Sequence, residues 1–579
     1  MPRSAAAALA VLFAAVAQAA AAAPGVPSPG DYLRHPVFYE RFPETSAAVG
    51  DELDHLRRGH VRLQHYRPAD VSRYAWERDS FTEYTWWMQT QELRFLLPAI
   101  ASNESGDRRL AREWFMRWYA VHMVPEPATA TWGEPMSVAY RAMVLVYLLK
   151  TEDAREDRDE AVLECIRSTI LEHQRHLAEP ENADDRTNHG FIDALGLFET
   201  TRVFADARLA ALAVDRLQGM MDRAVSQAGV EREHSAAYHF VVMQWLEQMA
   251  AYIGSLPSGD PEFAERAAAC VERMRRAGYF LQDHAGVVPA IGDTDSVDVT
   301  SFATGFRIVD AVERTLFDPA SGYAVYKGSP ANGDCRYLVF RIPGGAVEMR
   351  SHCHADALAV LFSHAGETIL GDAGRYSYTA GPVREYCVSP SAHSTLMPYP
   401  IGSGWYRPDA LRLVRDATSR SDGEVSTWSA SMTVGGATCR RTVHIPAGAN
   451  TFTVVDSITP IREHSPPPDE VVMLWNLGGD VTGVEGAPEG REHAWLLTTR
   501  RGQQVRLMVS AAGPGNAGVV EARVVRGQET PRLGWYSPAQ GVLRPAATLM
   551  LRLRRAPGLI VTTRVEVSGG ACAPASSAP

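Results

Sequence analysis

The sequence is poor in cysteine and has no excess of positive charge. Its seven cysteines are scattered among 579 residues without any C-x-x-C spacing. This pattern excludes a disulfide framework, although it allows one or two bridges. The formal net charge of −11 argues against a nucleic acid as partner and disfavours a highly sulfated polyanion.

Long apolar runs are also missing, apart from one at the N-terminus. Residues 1–23 contain an early arginine, an apolar stretch and an A-x-A site at 17–19. This pattern predicts a secretory signal peptide that is cleaved near Ala19 or Ala23, and therefore a periplasmic or secreted protein. No later stretch is long enough to span a membrane.

The remaining chain changes from helical to β-rich sequence patterns, and its length predicts at least two domains. Apolar residues recur at helical spacing in 85–101, 109–123, 137–150, 159–178, 206–225, 239–253 and 262–281. No solenoid-type repeat is present, so a helical bundle or toroid is predicted for residues 24–318. Short β-rich runs then predict an antiparallel β-sandwich for 319–567, and residues 568–579 read as a loose tail.

Polar residues interrupt an apolar run at MRSHCHADALAV, residues 349–360. If the chain is extended there, as in a buried strand, His352, His354 and Asp356 point to one face and Cys353 to the other. Two interpretations are open: a strand edge with satisfied polar groups, or a metal or catalytic site. Two histidines with one carboxylate, such as Asp372 further along, suit Zn²⁺.

The helical half has two further candidate segments. TNHGF (187–191) precedes a helical pattern, and an N-cap would explain Thr187 or Asn188 but not His189. GVEREHSAAYHF (229–240) groups acidic, histidine and tyrosine side chains, although a polar helix start is the simpler explanation. IGDTDS (291–296) is typical of a turn.

Seven segments together resemble the heparinase II/III family of polysaccharide lyases. In order along residues 85–400 they are WGEPMSVAYRA (132–142), NHG (188–190), EHSAAYH (233–239), IGDTDS (291–296), HCHADAL (352–358), GDAGRY (371–376) and REY…AHST (384–395). The resemblance implies an (α/α) toroid followed by an antiparallel β-sandwich. It is specific for fold and reaction type, and not for the polysaccharide.

The resemblance also implies roles for the HCHAD residues. His352 would face the substrate and be catalytic, whereas His354, Asp372 and His393 would bind a mainly structural zinc ion. Ser394 departs from the asparagine that is common in the family, which places local substrate contacts in doubt more than the metal.

The implied reaction is β-elimination at a uronic acid. The enzyme must bind the uronate carboxylate, remove the C5 proton and protonate the leaving C4 oxygen. Asn188 and His189 suit carboxylate binding, and Tyr238 suits the acid, or also the base where the C5 proton lies on its side. His352 or His189 suits the base on the opposite face. Further candidates are substrate-binding Glu233, Arg384 and Tyr376, with Trp132 and Arg141 lining or buttressing the toroid.

Two other functions remain open. A glycoside hydrolase would use paired carboxylates such as Glu233 and Asp293. A non-catalytic periplasmic glycan-binding protein with a structural zinc would need no proton transfer. The expected partner in each case is a polysaccharide; lightly sulfated heparan, alginate and bacterial exopolysaccharide are all compatible with the acidic chain, and endo or exo action and the oligomeric state are not determined.

Overall fold

The structure is a computed structural model, and it describes most of the chain. The described residues are 46–63, 69–71, 76, 84–102, 104–153, 158–256, 260–295, 314–344, 352–401, 414–434, 437–460, 470–489, 492–515, 517–554 and 558–568. The predicted signal peptide (1–23) and nearly all of the predicted tail lie outside them. The chain forms two compact units. The first ends at Ala224 and resumes over Val242–Val271, and the second comprises Val225–Val241 and Glu272 onwards.

The first unit is helical apart from a two-stranded sheet of β1 (His60–Val61) and β2 (Ala69–Asp70). Its helices are α1 (Ser46–Arg57), α2 (Tyr84–Gln91), α3 (Leu97–Ala101), α4 (Ser105–His122), α5 (Pro135–Asp153), α6 (Glu160–Ala178), α7 (His189–Thr200) and α8 (Ala207–Ala224). Two more helices, α9 (Ala236–Ser255) and α10 (Pro261–Phe280), each contribute residues to both units. No helix within the described ranges has the length and apolar character that a membrane crossing requires.

Residues 85–101 do not form the single helix that their periodicity predicts. Leu93 adopts a left-handed conformation with φ of 56°, so α2 ends before it and α3 begins after a short 3₁₀ turn, Arg94–Leu96. The bulky side chain makes this conformation uncommon. Pro98 lies in the first turn of α3, where the missing N–H costs no hydrogen bond.

Helix α5 is buried along most of its length. Gly196 of α7 allows the closest approach, because a Cβ atom there would lie 2.6 Å from the Cβ of Ala139 on α5. Asp159 caps α6, where its carboxylate accepts hydrogen bonds from the N–H groups of Ala161 and Val162. Close packing and capping together explain why these apolar stretches fold as helices.

The second unit consists mainly of antiparallel strands. A five-stranded meander contains β3 (Thr315–Asp318), β4 (Tyr323–Lys327), β5 (Arg336–Arg341), β6 (Val360–His364) and β7 (Glu367–Leu370). Cys335, directly before β5, is disulfide-bonded.

Two larger sheets follow the meander. The strands after β7 are β8 (Leu396–Pro398), β9 (Arg415–Ser421), β10 (Val425–Val434), β11 (Ala437–Pro446), β12 (Thr451–Pro460), β13 (Glu470–Asn476), β14 (Val481–Glu489), β15 (Glu492–Thr499), β16 (Gln504–Ala512), β17 (Gly518–Arg526), β18 (Gln528–Glu529), β19 (Arg532–Leu533), β20 (Trp535–Ala539), β21 (Val542–Pro545), β22 (Ala547–Arg554) and β23 (Leu559–Ser568). The order is β14-β15-β16-β23-β12-β11-β10-β9 in the eight-stranded sheet and β17-β22-β13-β8 in the four-stranded sheet. Buried and exposed residues alternate along β11 and β23, so each strand turns one face to the core.

One hydrophobic core joins the three sheets. It includes Phe340 of the meander, Trp428 and Phe452 of the eight-stranded sheet, and Trp475 and Leu549 of the four-stranded sheet. The meander begins at Thr315, and the domain boundary at 318/319 stays a prediction from the sequence.

The edge strands of the eight-stranded sheet are irregular. Strand β9 has the sequence RDATSRS, is almost entirely exposed, and pairs with β10 through a bulge between Ser429 and Ser431. At the other edge, β14 pairs with β15 through a bulge between Val481 and Gly483. At both edges, bulges therefore interrupt the regular pairing of the strands, and β9 exposes polar side chains to solvent.

A buried ion pair connects the eight-stranded sheet to the loops described below. Arg441 of β11 lies opposite Asp456 of β12, and its Nε is 2.8 Å from the carboxylate Oδ1. Its Nη1 donates to the carbonyl oxygens of Leu358 and Ser394, each at 2.7 Å. Both charged side chains are fully buried.

Candidate active site

The HCHAD segment forms a loop, so the prediction that it is extended like a buried strand is wrong. Strand β6 begins only at Val360, and Leu358 has a φ of 62°. Asp356 accepts a hydrogen bond from Arg341 Nε at 2.7 Å, and neither side chain is exposed. Asp356 therefore neutralises a buried arginine, in keeping with the simpler interpretation, and the loop places His352 and His354.

Asp293, from the IGDTDS turn, lies between those two histidines. Its Oδ2 accepts a hydrogen bond from His352 Nδ1 at 3.0 Å, and its Oδ1 accepts one from His354 Nε2 at 2.9 Å. Gly292 permits this approach, because it has a φ of 59° and a Cβ atom there would lie 2.6 Å from the His352 carbonyl oxygen. The turn is thus a structural part of the site.

Arg384 completes the shell around the carboxylate. Its two terminal nitrogens contact the two oxygens of Asp293, with Nη2 at 3.1 Å from Oδ2. Burial alone would raise the pKa of the Asp293 carboxyl, but the hydrogen bonds from His352 and His354 outweigh it and hold that pKa well below its ordinary value. Asp293 is therefore an ionised acceptor.

Tyr238 lies in the first turn of α9 and packs face to face on His352. The two ring centroids are 3.8 Å apart, with an angle of 23° between the planes. Glu233 is fully buried, and its Oε2 lies 3.5 Å from His352 Nε2. Glu233, Tyr238 and His352 thus lie together, and their roles at a common site stay a prediction.

A second tyrosine, Tyr378, belongs to the same group and was missed by the sequence analysis. Its hydroxyl lies 3.0 Å from the Tyr238 hydroxyl, and the Arg375 guanidinium lies 4.6 Å from its ring centroid. The predicted residue, Tyr376, instead has a φ of 63° and packs against a small hydrophobic cluster. The two tyrosines are two residues apart in GRYSY. The sequence therefore indicates a tyrosine near the site, but not which of the two faces it.

Burial raises the pKa of the Tyr238 hydroxyl well above its ordinary value. The neighbouring Tyr378 and the carboxylates of Glu233 and Asp293 act in the same direction. The pKa of Tyr378 is also raised, chiefly by burial. Both phenols therefore hold their protons at neutral pH.

The three residues predicted to bind a metal lie together. Ligand atoms of His354, Asp372 and His393 all fall within 4.8 Å of one another. Asp372 Oδ2 accepts a hydrogen bond from His393 Nδ1 at 2.8 Å. His354 Nδ1 and His393 Nε2 are buried and have no hydrogen-bond partner in the described part of the chain. Two such imidazole nitrogens beside a carboxylate fit a zinc ion.

The remaining predicted residues belong to the first unit. Asn188 is buried at the N-terminus of α7 and does not cap that helix with its side chain. Thr187 does so instead, since its hydroxyl accepts from the His189 N–H at 3.2 Å. His189 is partly exposed, and its Nδ1 lies 3.8 Å from Glu134 Oε2.

Trp132 and Arg141 are structural residues of the helical unit. Both are fully buried. Arg141 donates to the carbonyl oxygen of Trp132 at 3.1 Å and to His173 Nε2 at 2.8 Å. Their role in lining or buttressing the toroid stays a prediction.

Residues 314–572 match the family described as Heparinase II/III-like, C-terminal. The matched range contains the meander, both larger sheets, His352 and the three candidate metal ligands. The second part of the chain is therefore similar to the C-terminal domain of heparinase II/III-like proteins. No curated protein matches the sequence.

Solved structures of polysaccharide lyases share the fold over nearly the whole chain. A structure described as heparinase III has a TM-score of 0.73 at 14% identity, covering 96% of this chain and 90% of its own. A heparan sulfate lyase from Pedobacter heparinus has a TM-score of 0.64 at 14% identity, covering 98% and 89%. The chondroitin AC lyase of Streptomyces coelicolor A3, solved with chondroitin sulphate, gives 0.51 at 10% identity, covering 97% and 83%. The predicted order, helical toroid and then antiparallel sheets, is confirmed.

Proposed function

We propose that this protein is a polysaccharide lyase that cleaves a uronic-acid-containing polysaccharide by β-elimination and leaves 4,5-unsaturated uronate ends. The observation that carries the proposal is the stacked pair of Tyr238 and His352, set among Asp293, Glu233 and Tyr378. Such a pair places an acid and a proton acceptor side by side, which elimination requires.

Tyr238 suits the general acid. Its raised pKa keeps the phenol protonated at neutral pH, so that it can donate a proton to the leaving C4 oxygen. The hydroxyl of Tyr378, 3.0 Å away, offers a route by which the donated proton is replaced.

His352 suits the proton acceptor on the same side of the sugar as Tyr238, because their stacked rings, 3.8 Å apart, leave no room for a sugar between them. Because Asp293 is an acceptor, Nδ1 of His352 carries the hydrogen that joins them, and Nε2 is the nitrogen that can take a proton. His189 is the other candidate base. Its pairing with Asn188 for binding the uronate carboxylate stays a prediction from the family resemblance.

A zinc ion would be held by His354, Asp372 and His393. When bound, it would cross-link the HCHAD loop to the segments that carry the other two ligands, which is a structural contribution. The protein's own residues carry the proton transfers.

Hydrolysis is the weaker alternative. A glycosidase needs one carboxyl that donates a proton, and Asp293 is unsuited because four hydrogen bonds surround it and its pKa is held low. A glycan-binding protein without activity would not need a phenol and an imidazole in face-to-face contact.

The substrate and location follow from general arguments. The solved relatives include lyases described for heparan sulfate and for chondroitin. The net charge of −11 favours a lightly sulfated or unsulfated uronate polymer here. The disulfide at Cys335 supports export to an oxidising compartment, as the predicted signal peptide requires.

The test is the ultraviolet absorbance of unsaturated uronate, with mature protein and a panel of heparan sulfate, heparin, chondroitin sulfate, alginate and uronate-containing exopolysaccharides. Wild type should produce absorbance on at least one glycan. Tyr238→Phe should lower kcat by about 10²–10⁴-fold, since it removes the acid. Tyr119→Phe, which deletes a hydroxyl from α4, is the matched control and should retain activity.

New reducing ends without absorbance would mean hydrolysis, and the proposal would be wrong. Full activity of Tyr238→Phe would remove Tyr238 from the mechanism. Glycan binding in an electrophoretic shift assay, without cleavage of any panel member, would favour the binding protein.

A further inference from the structure

The Asp293 carboxylate is shared by two functions that the site otherwise keeps separate. One oxygen contacts His352, the candidate base, at 3.0 Å. The other contacts His354, a candidate metal ligand, at 2.9 Å. The HCHAD loop separates these histidines by a single residue, Cys353, so movement of either ring bears on the same carboxylate.

The hydrogen-bonding capacity of this carboxylate is full. Each oxygen receives one imidazole N–H and one guanidinium N–H of Arg384, and a carboxylate offers about four such acceptor positions. The Asp293 backbone N–H also donates to the His352 carbonyl oxygen at 3.3 Å. The position of the carboxylate is therefore fixed from both sides.

The contact with His354 determines which of its nitrogens can bind a metal. Since Nε2 donates to Asp293, Nδ1 carries the lone pair, and Nδ1 is the buried atom without a partner among the described residues. A carboxylate that holds the far side of a ligating histidine in this way orients the ring and increases its basicity.

We propose that Asp293 is a positioning residue that couples the metal site to catalysis: with its two oxygens it holds His354 for the metal and His352 over Tyr238. Metal occupancy then restrains His354, and through Asp293 it restrains His352. The coupling rests on the proposed lyase function only for its kinetic consequence, because the contact between Asp293 and His354 is present whatever the reaction is.

Asp293→Asn tests the coupling. The amide is isosteric but has one acceptor oxygen, so it cannot accept from both imidazoles. Zinc affinity, measured by competition with a chromophoric chelator, should weaken by about 10–100-fold, the usual effect of losing a carboxylate behind a metal-binding histidine. Asp295→Asn removes the same charge two residues away, where the contact is with Arg375, and should leave zinc affinity within about twofold.

The kinetic readout separates positioning from general damage. Asp293→Asn should lower kcat by at least about tenfold with KM nearly unchanged, because a misplaced base affects the chemical step more than binding. Removing zinc should lower kcat of wild type, and should have little further effect on Asp293→Asn. Unchanged zinc affinity in the variant would overturn the proposal, as would equal sensitivity of both proteins to zinc removal.

A second variant covers the case in which Asp293→Asn does not fold, as judged by circular dichroism and the melting temperature. His352→Gln leaves the contact between Asp293 and His354, so zinc affinity should persist while activity is lost. Complete loss of zinc binding in His352→Gln would show that His352 itself, and not Asp293, holds the metal site, and would overturn the proposal. If no glycan is cleaved by wild type, the lyase proposal fails, yet the zinc titrations still decide the role of Asp293.

Discussion

At the scale of single residues, two tyrosine hydroxyls and one imidazole share a small volume. Tyr238 stacks on His352, and its hydroxyl meets that of Tyr378. Tyr378 has 38% of its surface exposed, and Tyr238 is less exposed than that. A proton that leaves Tyr238 can therefore be replaced through its more exposed neighbour.

Tyr378→Phe should lower kcat about tenfold with little change in KM. The loss is smaller than for Tyr238→Phe, because solvent can still supply the proton more slowly. Steady-state kinetics on the best glycan of the panel measure it.

Tyr376→Phe is the matched control, since that side chain packs against a hydrophobic cluster two residues away. A larger kcat defect in Tyr376→Phe than in Tyr378→Phe would show that the two assignments should be exchanged.

The sequence predicts several residues that the fold brings together, but not how they are linked. The proposed metal ligands and His352 come from the family resemblance, because histidine spacing alone leaves a metal site as one of two interpretations. The sequence offers Asp293 only as a hydrolase carboxylate, because a Gly-Asp turn gives no sign of which side chains surround it. Asp356 follows the two histidines at the same two-residue spacing. Only the fold shows that it forms an ion pair with Arg341.

At the scale of elements, a histidine fixes the start of α9. His239 Nε2 donates to the Met274 carbonyl oxygen at 3.0 Å, and Nδ1 accepts from the Glu231 N–H at 3.3 Å. Burial lowers the pKa of His239 to about 4. Protonation would place a second N–H against the N–H of Glu231, so the neutral ring is the one that fits.

Acid should therefore destabilise the protein through His239. The unfolded chain takes up this proton below about pH 6.5, whereas the folded chain does so only near 4, so stability falls as the pH drops through that interval. The contribution is at most about 3 kcal/mol. Urea unfolding at several pH values measures it.

His239→Gln should be less stable than wild type at neutral pH, and it should show a shallower loss of unfolding free energy between about pH 6.5 and 4. Parallel curves for wild type and variant would show that His239 does not titrate on unfolding.

The ion pair of Arg441 and Asp456 joins the eight-stranded sheet to the site. Arg441→Met should cost about 3–5 kcal/mol of unfolding free energy, because it leaves a buried carboxylate uncompensated. Arg441→Met with Asp456→Leu should recover most of this loss. Denaturant unfolding measures both.

Activity should not recover in the double variant. The carbonyl oxygens of Leu358 and Ser394 lose their common donor in either case, and these residues flank the HCHAD loop and His393. If the double variant regained full kcat, Arg441 would matter for stability alone.

At the scale of the whole molecule, the sequence predicts the class of architecture, but not the points at which helices and strands are interrupted. The helical and strand periodicities identify most elements, because one face of each is buried. The interruption at Leu93 escapes prediction, since apolar spacing continues across it while the backbone reverses hand. The HCHAD loop is missed for a similar reason. Its polar residues alternate as in a strand, but buried charges and a left-handed residue are incompatible with a regular strand there.

Export should be visible in the mature chain. Expressed in a bacterial host with its own N-terminus, the protein should begin at Ala20 or Pro24 and contain Cys335 in a disulfide. Intact mass before and after reduction and alkylation measures both features. A chain that keeps Met1 and stays in the cytoplasm would contradict the predicted signal peptide.

The irregular edges of the eight-stranded sheet have a consequence for how the protein behaves when crowded. An open edge of regular, apolar strands is a template for intermolecular pairing and fibre growth. Strand β9 meets solvent with arginine, aspartate and serine, and the bulge beside it breaks the register that an incoming strand would need. Replacing β9 by alternating valine and threonine should therefore promote edge-to-edge aggregation, which light scattering measures.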